Sequence, residues 1–239
     1  MTIGLIKYHL IVLFREPLNL FFGFALPYIL LFVIVGNNDA ADLPVILDLN
    51  LSYWLVIAVM VLAFMDSAFS HAYGRQIKFL RLLRMTPMTS NQYVLTGIFS
   101  RIGILLLYAA SLILVMTIFF NMDIAGKNWL LFISVLLLTY IMFYFISMFI
   151  ANLLKSAKRS QSLLYIVFFG LLLFGVWIPF EFLPNFINNI SDYFPHISTI
   201  NLLQNAWGGN NIFSGPYFIT TTIYTVIFGI LSIKFFKFD

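Results

Sequence analysis

Six long apolar stretches constrain this chain more than any other feature of its sequence. A helix needs about 20 apolar residues to cross the hydrocarbon core of a bilayer, and six segments meet that requirement. They cover approximately residues 18–36, 52–72, 94–120, 129–153, 162–180 and 216–234. Because backbone groups in lipid must pair within their own segment, we predict that each stretch is a transmembrane helix.

Composition argues against a soluble domain of this size. Hydrophobic residues make up 62% of the 239 residues and charged residues only 9%, whereas a soluble domain has about 45–50% and 25%. Lipid is the solvent that accommodates such a composition. The chain contains no cysteine, which removes disulfides, thiol nucleophiles and thiolate metal sites from consideration.

The distribution of Lys and Arg predicts the orientation of the six spans. Every basic residue except Lys127 lies before span one, between or just inside spans two and three, between spans four and five, or near the end of the chain. Basic segments next to spans remain in the cytoplasm. We therefore predict a multi-pass protein of the plasma membrane with both termini in the cytoplasm.

Two further segments are apolar but do not span. Residues 1–16 place apolar side chains at helical spacing with basic residues between them, which predicts a helix lying in the inner interface. Residues 181–213 are interrupted by Pro and Gly but stay rich in apolar side chains, which predicts short helices that re-enter the outer leaflet. Within this segment, His196 and Trp207 are expected to be interfacial anchors.

The most informative stretch is residues 74–87, GRQIKFLRLLRMTP. Basic residues at every third position sweep about half of a helix's circumference, and apolar residues fill the gaps. Such a helix could lie beneath the membrane, with one side against the bundle and another offered to a partner. It could equally be a basic loop in contact with anionic lipid.

Four motifs together resemble the ABC-2 family of ABC-transporter permeases over nearly the whole chain. They are FREPLNLFFGFALPYILLFVIVG at 14–36, the run at 74–87, GVWIPFEFLP at 175–184, and YFP at 193–195. The resemblance implies an all-α membrane fold like that of type V exporters, in one transmembrane domain of residues 1–239. It would comprise an elbow helix, six spans, a coupling helix and re-entrant helices. Many family members carry acidic residues where this chain has SHAYG at 70–74, so this chain has no acidic residue there for an ion pair with an ATPase.

The resemblance implies the membrane-spanning subunit of an exporter for an apolar or amphipathic substrate (a peptide, as in phenol-soluble modulin exporters, a drug or a lipid). Two copies of a separate cytoplasmic ATPase would bind ATP and Mg²⁺, and a second permease, identical or different, would complete the path. The residues that it implies at the ATPase contact are Arg75, Lys78, Phe79, Arg81, Leu82, Arg84, Thr86 and Pro87, with Arg81 and Arg84 as the main charge contacts. Those implied at the extracellular gate are Pro179, Glu181, Pro184 and Pro195.

Asp66 is a carboxylate deep within the second predicted span. A charge near the bilayer centre costs about 2.5–3.5 kcal/mol, so Asp66 should face protein or water. Ser67, Ser70 and His71 could form hydrogen bonds with it locally. A polar contact between helices is the simpler interpretation and predicts that Asp66→Asn is tolerated. A place in the translocation path, together with Ser70, and a proton-coupled role are the alternatives.

The sequence shows no motif for chemistry within the chain. It lacks the phosphate-binding loop G-x-x-x-x-G-K-[ST], the motifs H-E-x-x-H and G-x-S-x-G, and an acidic cluster suited to a metal. We therefore expect no catalytic residue, cofactor or metal here. The inverted repeats and paired broken helices of many secondary transporters are not evident either. An ATP-independent transporter or channel is the main alternative function, and a membrane anchor for a partner enzyme is a third.

Overall fold

The computed structural model describes residues 43–85, 89–154, 156–173 and 190–236, together with 21, 25, 28, 29 and 31–33. Nearly all of these residues are helical, and none of those described is in a strand. The elements are α1 Leu43–Met60, a π-helical segment Val61–Ala68, α2 Phe69–Gln76, α3 Phe79–Arg84, α4 Ser90–Phe120, α5 Trp129–Leu153, α6 Ala157–Leu173, a 3₁₀ turn Ser191–Tyr193, α7 Pro195–Gly208 and α8 Tyr217–Lys234.

Four helices in this part of the chain are long and apolar enough to cross a membrane. They are Leu51–Gln76, Ser90–Phe120, Trp129–Leu153 and Tyr217–Lys234. The prediction of an all-helical membrane protein is confirmed by them, and they match predicted spans two, three, four and six. Predicted span five is described through α6, whose 17 residues extend for about 26 Å. Residues 1–16, 174–180 and most of predicted span one lie outside the described residues, so six crossings stay a prediction.

The helix Leu51–Gln76, here called the central helix, lies in the middle of the bundle. Of its most apolar window, 94% is buried inside the protein, against 22% for Tyr217–Lys234. Its Phe64 ring packs against Phe143 of α5 and Phe168 of α6, at centroid distances of 6.4 and 6.3 Å. All side chains of the π-helical segment are buried. A polar side chain in this segment must therefore find its partner within the protein.

The helix ends meet in two groups. The rings of His71, Tyr93 and Phe236 lie within 5.5 Å of one another, which brings α2, the start of α4 and the end of α8 together. We call this the basic end, because it also carries Lys78, Arg81, Lys158, Arg159 and Lys234. The helix α4 starts here at a capping box: Gln92 N donates to Thr89 Oγ1 (3.3 Å), and Thr89 N donates to Gln92 Oε1 (3.0 Å).

The short helix α7 lies at the opposite end. Pro195 occupies its first turn, where a missing N–H costs nothing. Gly209, at φ 73°, ends it in the left-handed conformation that glycine tolerates best. Its 14 residues extend for about 21 Å, less than the roughly 30 Å of a hydrocarbon core.

The side chains of α7 are covered by protein, because the helix packs against α1, α5 and α8. Trp207 is 1% exposed and contacts Trp129 and Phe132, with centroid distances of 5.5 and 5.0 Å. Lys127 Nζ lies 5.0 Å from the centre of the Trp207 ring. His196 is fully buried. The expectation that His196 and Trp207 anchor the protein in the interface is therefore wrong.

Candidate functional site

Asp66 forms a buried ion pair with Arg101 of α4. Arg101 Nε lies 2.5 Å from Asp66 Oδ2, and the two side chains are 2% and 0% exposed. Arg101 Nη1 also donates to Ser100 Oγ at 2.9 Å and to the Gly97 carbonyl at 3.4 Å. This pair joins the central helix to α4 within the bundle.

The partners that the sequence predicted for Asp66 bond elsewhere. Ser67 Oγ donates to the Leu62 carbonyl at 2.8 Å, and His71 Nε2 lies 2.9 Å from Asn152 Oδ1. Ser67 lies in the π-helical segment, and its hydroxyl reaches the carbonyl five residues back, whereas His71 is directed at a different helix. Ser70 is buried on the same helix. Local hydrogen bonding of Asp66 was thus the wrong expectation, and its charge is balanced from a neighbouring helix.

Two polar atoms of this pair are not satisfied by the described residues. Asp66 Oδ1 and Arg101 Nη2 are buried there without a hydrogen-bond partner. Tyr140 packs against Tyr144 with a centroid distance of 6.0 Å, and both tyrosines of α5 lie within electrostatic reach of Arg101. Because π-helical turns recur at functional sites, this region is the first candidate site.

A close approach of α4 to α5 lies beside the ion pair. A Cβ atom added at Gly97 would collide with the Tyr144 hydroxyl, whereas one added at Gly103, on the same helix, would meet nothing within 4 Å. Tyr144 is 1% exposed and has little room to move. Small residues permit such proximity between membrane helices. Gly97 therefore helps to bring the polar groups of three helices together.

The second candidate site is the basic end, where the segment 74–87 is broken rather than one continuous helix. The helix α2 ends at Gln76, Ile77 and Lys78 form a turn, and α3 follows. Lys78 has φ 61°, a left-handed conformation that stops α2 and redirects the chain. Leu80 of α3 is 1% exposed and lies above Gly74, where an added Cβ would be 3.5 Å from Leu80 Cγ.

The turn and α3 present apolar and basic side chains together. Ile77, Leu82 and Met85 are 51%, 61% and 84% exposed. Lys78 and Arg81 are exposed beside them. We call these five residues the docking surface. Such a mixture differs from a purely basic loop, since three large apolar side chains are exposed here among the described residues.

The other residues predicted at the ATPase contact are placed differently. Arg75 is turned inward and is 6% exposed. Its Nη1 donates to the Ala151 carbonyl (2.9 Å) and its Nη2 to the Leu154 carbonyl (3.2 Å). Phe79 is half-buried against the core. The Arg84 side chain, Thr86 and Pro87 lie outside the described residues.

The predicted extracellular gate is described only at Pro195, because Pro179, Glu181 and Pro184 lie outside the described residues. Next to Pro195, the 3₁₀ turn and α8 border a groove with a volume of about 430 Å³. Its lining is almost entirely apolar and includes Tyr193, Pro216, Ile219, Ile223, Tyr224 and Phe228.

Sequence reasoning missed Arg101 as the partner of Asp66 and Asn152 as the partner of His71. Arg101 was counted with the basic residues that set orientation, although it lies inside predicted span three. Opposite charges in two successive spans are the signal that could have paired Arg101 with Asp66. No comparable signal links His71 to Asn152, since they are 81 residues apart.

Comparison with known proteins finds no matching family model, no similar curated protein and no similar solved structure. The resemblance to ABC-2 permeases therefore rests on the sequence motifs alone. Among the described residues, no group of three or more His, Cys, Asp or Glu side chains could hold a metal ion.

Proposed function

We propose that the chain is the transmembrane permease subunit of an ATP-binding cassette exporter. In this proposal it moves an apolar or amphipathic substrate, such as a peptide, drug or lipid, out of the cell. Two copies of a separate cytoplasmic ATPase, with their ATP and Mg²⁺, supply the energy, and a second permease completes the path. The chain itself carries no ATPase site.

The docking surface is the observation that best supports this function. An ATPase that couples to a membrane subunit needs an exposed helix that it can bind through both charged and apolar side chains. The docking surface offers Lys78 and Arg81 beside Ile77, Leu82 and Met85, all at the basic end. A helix that lies in the inner interface also combines basic and apolar side chains, so the charge reversal described below is what separates an ATPase contact from a lipid contact.

The groove beside α8 supports the substrate class. It lies next to the 3₁₀ turn Ser191–Tyr193, near the predicted gate residue Pro195, and its lining is apolar. Transfer of an apolar or amphipathic molecule from lipid to such a surface costs little free energy. A strongly charged molecule would find no group of opposite charge in the lining. The substrate would use this groove on its way to the outer side.

The proposed mechanism follows from these placements. ATP binding closes the ATPase pair and displaces α3 at the basic end. The displacement passes into the central helix, which contacts α4, α5 and α6. Movement of packed helices as bodies is an established type of transition. The path between two permeases would narrow at the cytoplasm and open outside.

The direct test reverses the charges on α3. The double variant Arg81→Glu/Arg84→Glu is compared with Lys158→Glu/Arg159→Glu, which makes the same charge change at the start of α6, also at the basic end. Both are purified from native membranes, and the bound ATPase is measured by mass spectrometry and ATP hydrolysis. Removing one side of a desolvated charge pair costs about 2–5 kcal/mol, so the α3 variant should bind the ATPase at least about 30-fold more weakly.

The control variant should retain the ATPase at the level of the unchanged chain. Equal retention in both variants would remove α3 as the contact. If the unchanged chain carries no ATPase and transport into vesicles follows an ion gradient without ATP, the alternative of a secondary transporter or channel replaces this proposal.

A further inference from the structure

We propose that Arg75 and His71 are positioning residues that lock α2 and α3 to the end of α5, so that a displacement of α3 is passed to α5. This inference rests on the proposed function, because it concerns how a bound ATPase moves the membrane helices. Both side chains are buried, at 6% and 0% exposure. They act through the helix end that they hold, not through contact with the ATPase.

Arg75 holds the end of α5 with two arms of its guanidinium. The last carbonyls of a helix lack intrahelical partners and carry the negative end of its dipole. Arg75 donates to two of them, those of Ala151 and Leu154, at 2.9 and 3.2 Å. Because the guanidinium is a planar fork, two such bonds fix its orientation as well as its distance. A lysine at this position would keep the positive charge but lose the second N–H donor that the planar guanidinium holds in a fixed direction.

His71 adds a second connection one turn earlier on α2. Asn152 Nδ2 donates to the Met148 carbonyl at 2.8 Å, so the amide oxygen Oδ1 is the atom that faces His71. The His71 ring must then carry its proton on Nε2 and donate it across the 2.9 Å contact. The rings of Tyr93 and Phe236 pack against His71 at 5.5 and 5.0 Å and hold its plane.

The connection from this clamp to α3 is short and hydrogen-bonded. Lys78 N donates to the Arg75 carbonyl at 3.1 Å, and Arg81 N donates to the Lys78 carbonyl at 3.2 Å. Leu80 then fixes α3 against the residues below it. A force on α3 therefore reaches Arg75 through a turn held by these backbone hydrogen bonds, with no flexible linker to absorb it.

One side chain would be enough to cap a helix end. Here two side chains of α2 hold three of the last four positions before the connection to α6, namely Ala151, Asn152 and Leu154. The arrangement prevents both sliding and rotation of α5 against α2. Movement of the docking surface is therefore passed from α2, at the end of the central helix, directly to this end of α5.

The test measures whether α3 and α5 move together. The chain contains no cysteine, so spin labels can be attached to pairs of introduced cysteines. The positions are Met85 beside α3, Leu153 of α5 and Asn91 of α4, all of which are exposed. Distances for the pairs 85–153 and 85–91 are measured in the complex with the ATPase, with no nucleotide and with a non-hydrolysable ATP analogue. Because Met85 belongs to the docking surface, the complex with the unlabelled chain gives both the background and the reference level of ATPase binding.

We expect the analogue to change the 85–91 distance and to leave the 85–153 distance unchanged. In Arg75→Gln/His71→Leu the 85–153 distance should also change, while ATPase binding and ATP hydrolysis stay at the level of the labelled chain without these substitutions, because neither of them alters the docking surface. The variant Arg75→Gln/His71→Gln, which keeps an N–H donor at position 71, should retain part of the coupling, whereas Arg75→Lys/His71→Leu should not. Arg159→Gln, at an exposed charge of the same end, should behave as the unchanged chain.

Two results would overturn the inference while leaving the proposed function in place. In one, the 85–153 distance of the unchanged chain shifts as much as the 85–91 distance. In the other, the variants at 71 and 75 fail to assemble or match the unchanged chain in every distance. Absence of any bound ATPase would instead overturn the proposed function, and this inference with it.

Discussion

Arg81 and Arg101 are 20 residues apart in the sequence and carry the same charge, but their surroundings are opposite. Arg81 is exposed at the basic end, beside uncovered apolar side chains. Arg101 is buried and bound to Asp66. Arg75 lies between these extremes, buried but bound to backbone carbonyls. The difference shows that one basic cluster in a sequence can contain a surface for a partner, a helix clamp and half of an ion pair.

Breaking the ion pair should have the largest effect on stability. Asp66→Asn leaves Arg101 buried without its counter-charge, and Arg101→Gln leaves Asp66 in the same state; each should reduce the free energy of unfolding by about 3–5 kcal/mol. The double variant Asp66→Asn/Arg101→Gln should recover most of that loss, because a neutral pair can still form hydrogen bonds. Unfolding in detergent micelles measures the cycle. Strictly additive losses would contradict a direct pair.

This prediction replaces the sequence-based expectation that Asp66→Asn would be tolerated. That expectation assumed a neutral, local partner for the carboxylate. Because the partner is an arginine, Asp66→Asn removes the charge that stabilises Arg101 and leaves that cation buried without a counter-charge.

Crowding the contact between α4 and α5 should have an intermediate effect. Gly97→Ala places a methyl group against the Tyr144 hydroxyl, and overpacking of this kind typically costs about 1–3 kcal/mol. Gly103→Ala is the matched control on the same helix, since an added Cβ there meets nothing within 4 Å. It should be neutral or stabilising by up to about 1 kcal/mol, as alanine has the higher helix propensity. Thermal unfolding in the same detergent should give a lower melting temperature for Gly97→Ala than for Gly103→Ala. Equal melting temperatures would mean that Tyr144 moves aside to accommodate the methyl group.

The smallest effect on stability is expected at the exposed arginine. Arg81→Gln removes no buried contact of the described chain, so the free energy of unfolding should change by no more than about 0.5 kcal/mol. Its effect should be seen in ATPase binding alone. A marked loss of stability in the isolated chain would show that Arg81 makes a stabilising contact within the protein, as Arg101 does, and is not part of an exposed docking surface.

Much of the fold could be predicted because lipid imposes a one-dimensional rule. A span needs an apolar run of sufficient length, and that length can be read without knowing what the helix touches. Predicted spans two, three, four and six therefore correspond to the four described helices that are long and apolar enough to cross a membrane. The break between α2 and α3 could not be read in this way, because GRQIKFLRLLRMTP contains no proline or glycine where Lys78 turns the chain.

The candidate sites were predicted less well, for a related reason. Asp66 could be identified as an unusual charge within an apolar segment, and the basic segment at 74–87 as a candidate contact, since both depend on local composition. The partners of Asp66, Arg75 and His71 come from α4 and α5, which are distant in sequence. Covered positions such as Trp207 were misread because a sequence does not distinguish a helix face in lipid from one against protein.

The sequence by itself thus determined the solvent of this protein, the length of its helices and the residues too polar to face lipid. Only the tertiary structure decided which polar groups meet, which arginine is exposed and which helix lies at the centre. The physical reason is that the hydrophobic demand of a bilayer acts on each segment separately. A buried charge or a helix end, in contrast, is stabilised by whichever neighbour the packing of the whole bundle brings within a hydrogen bond.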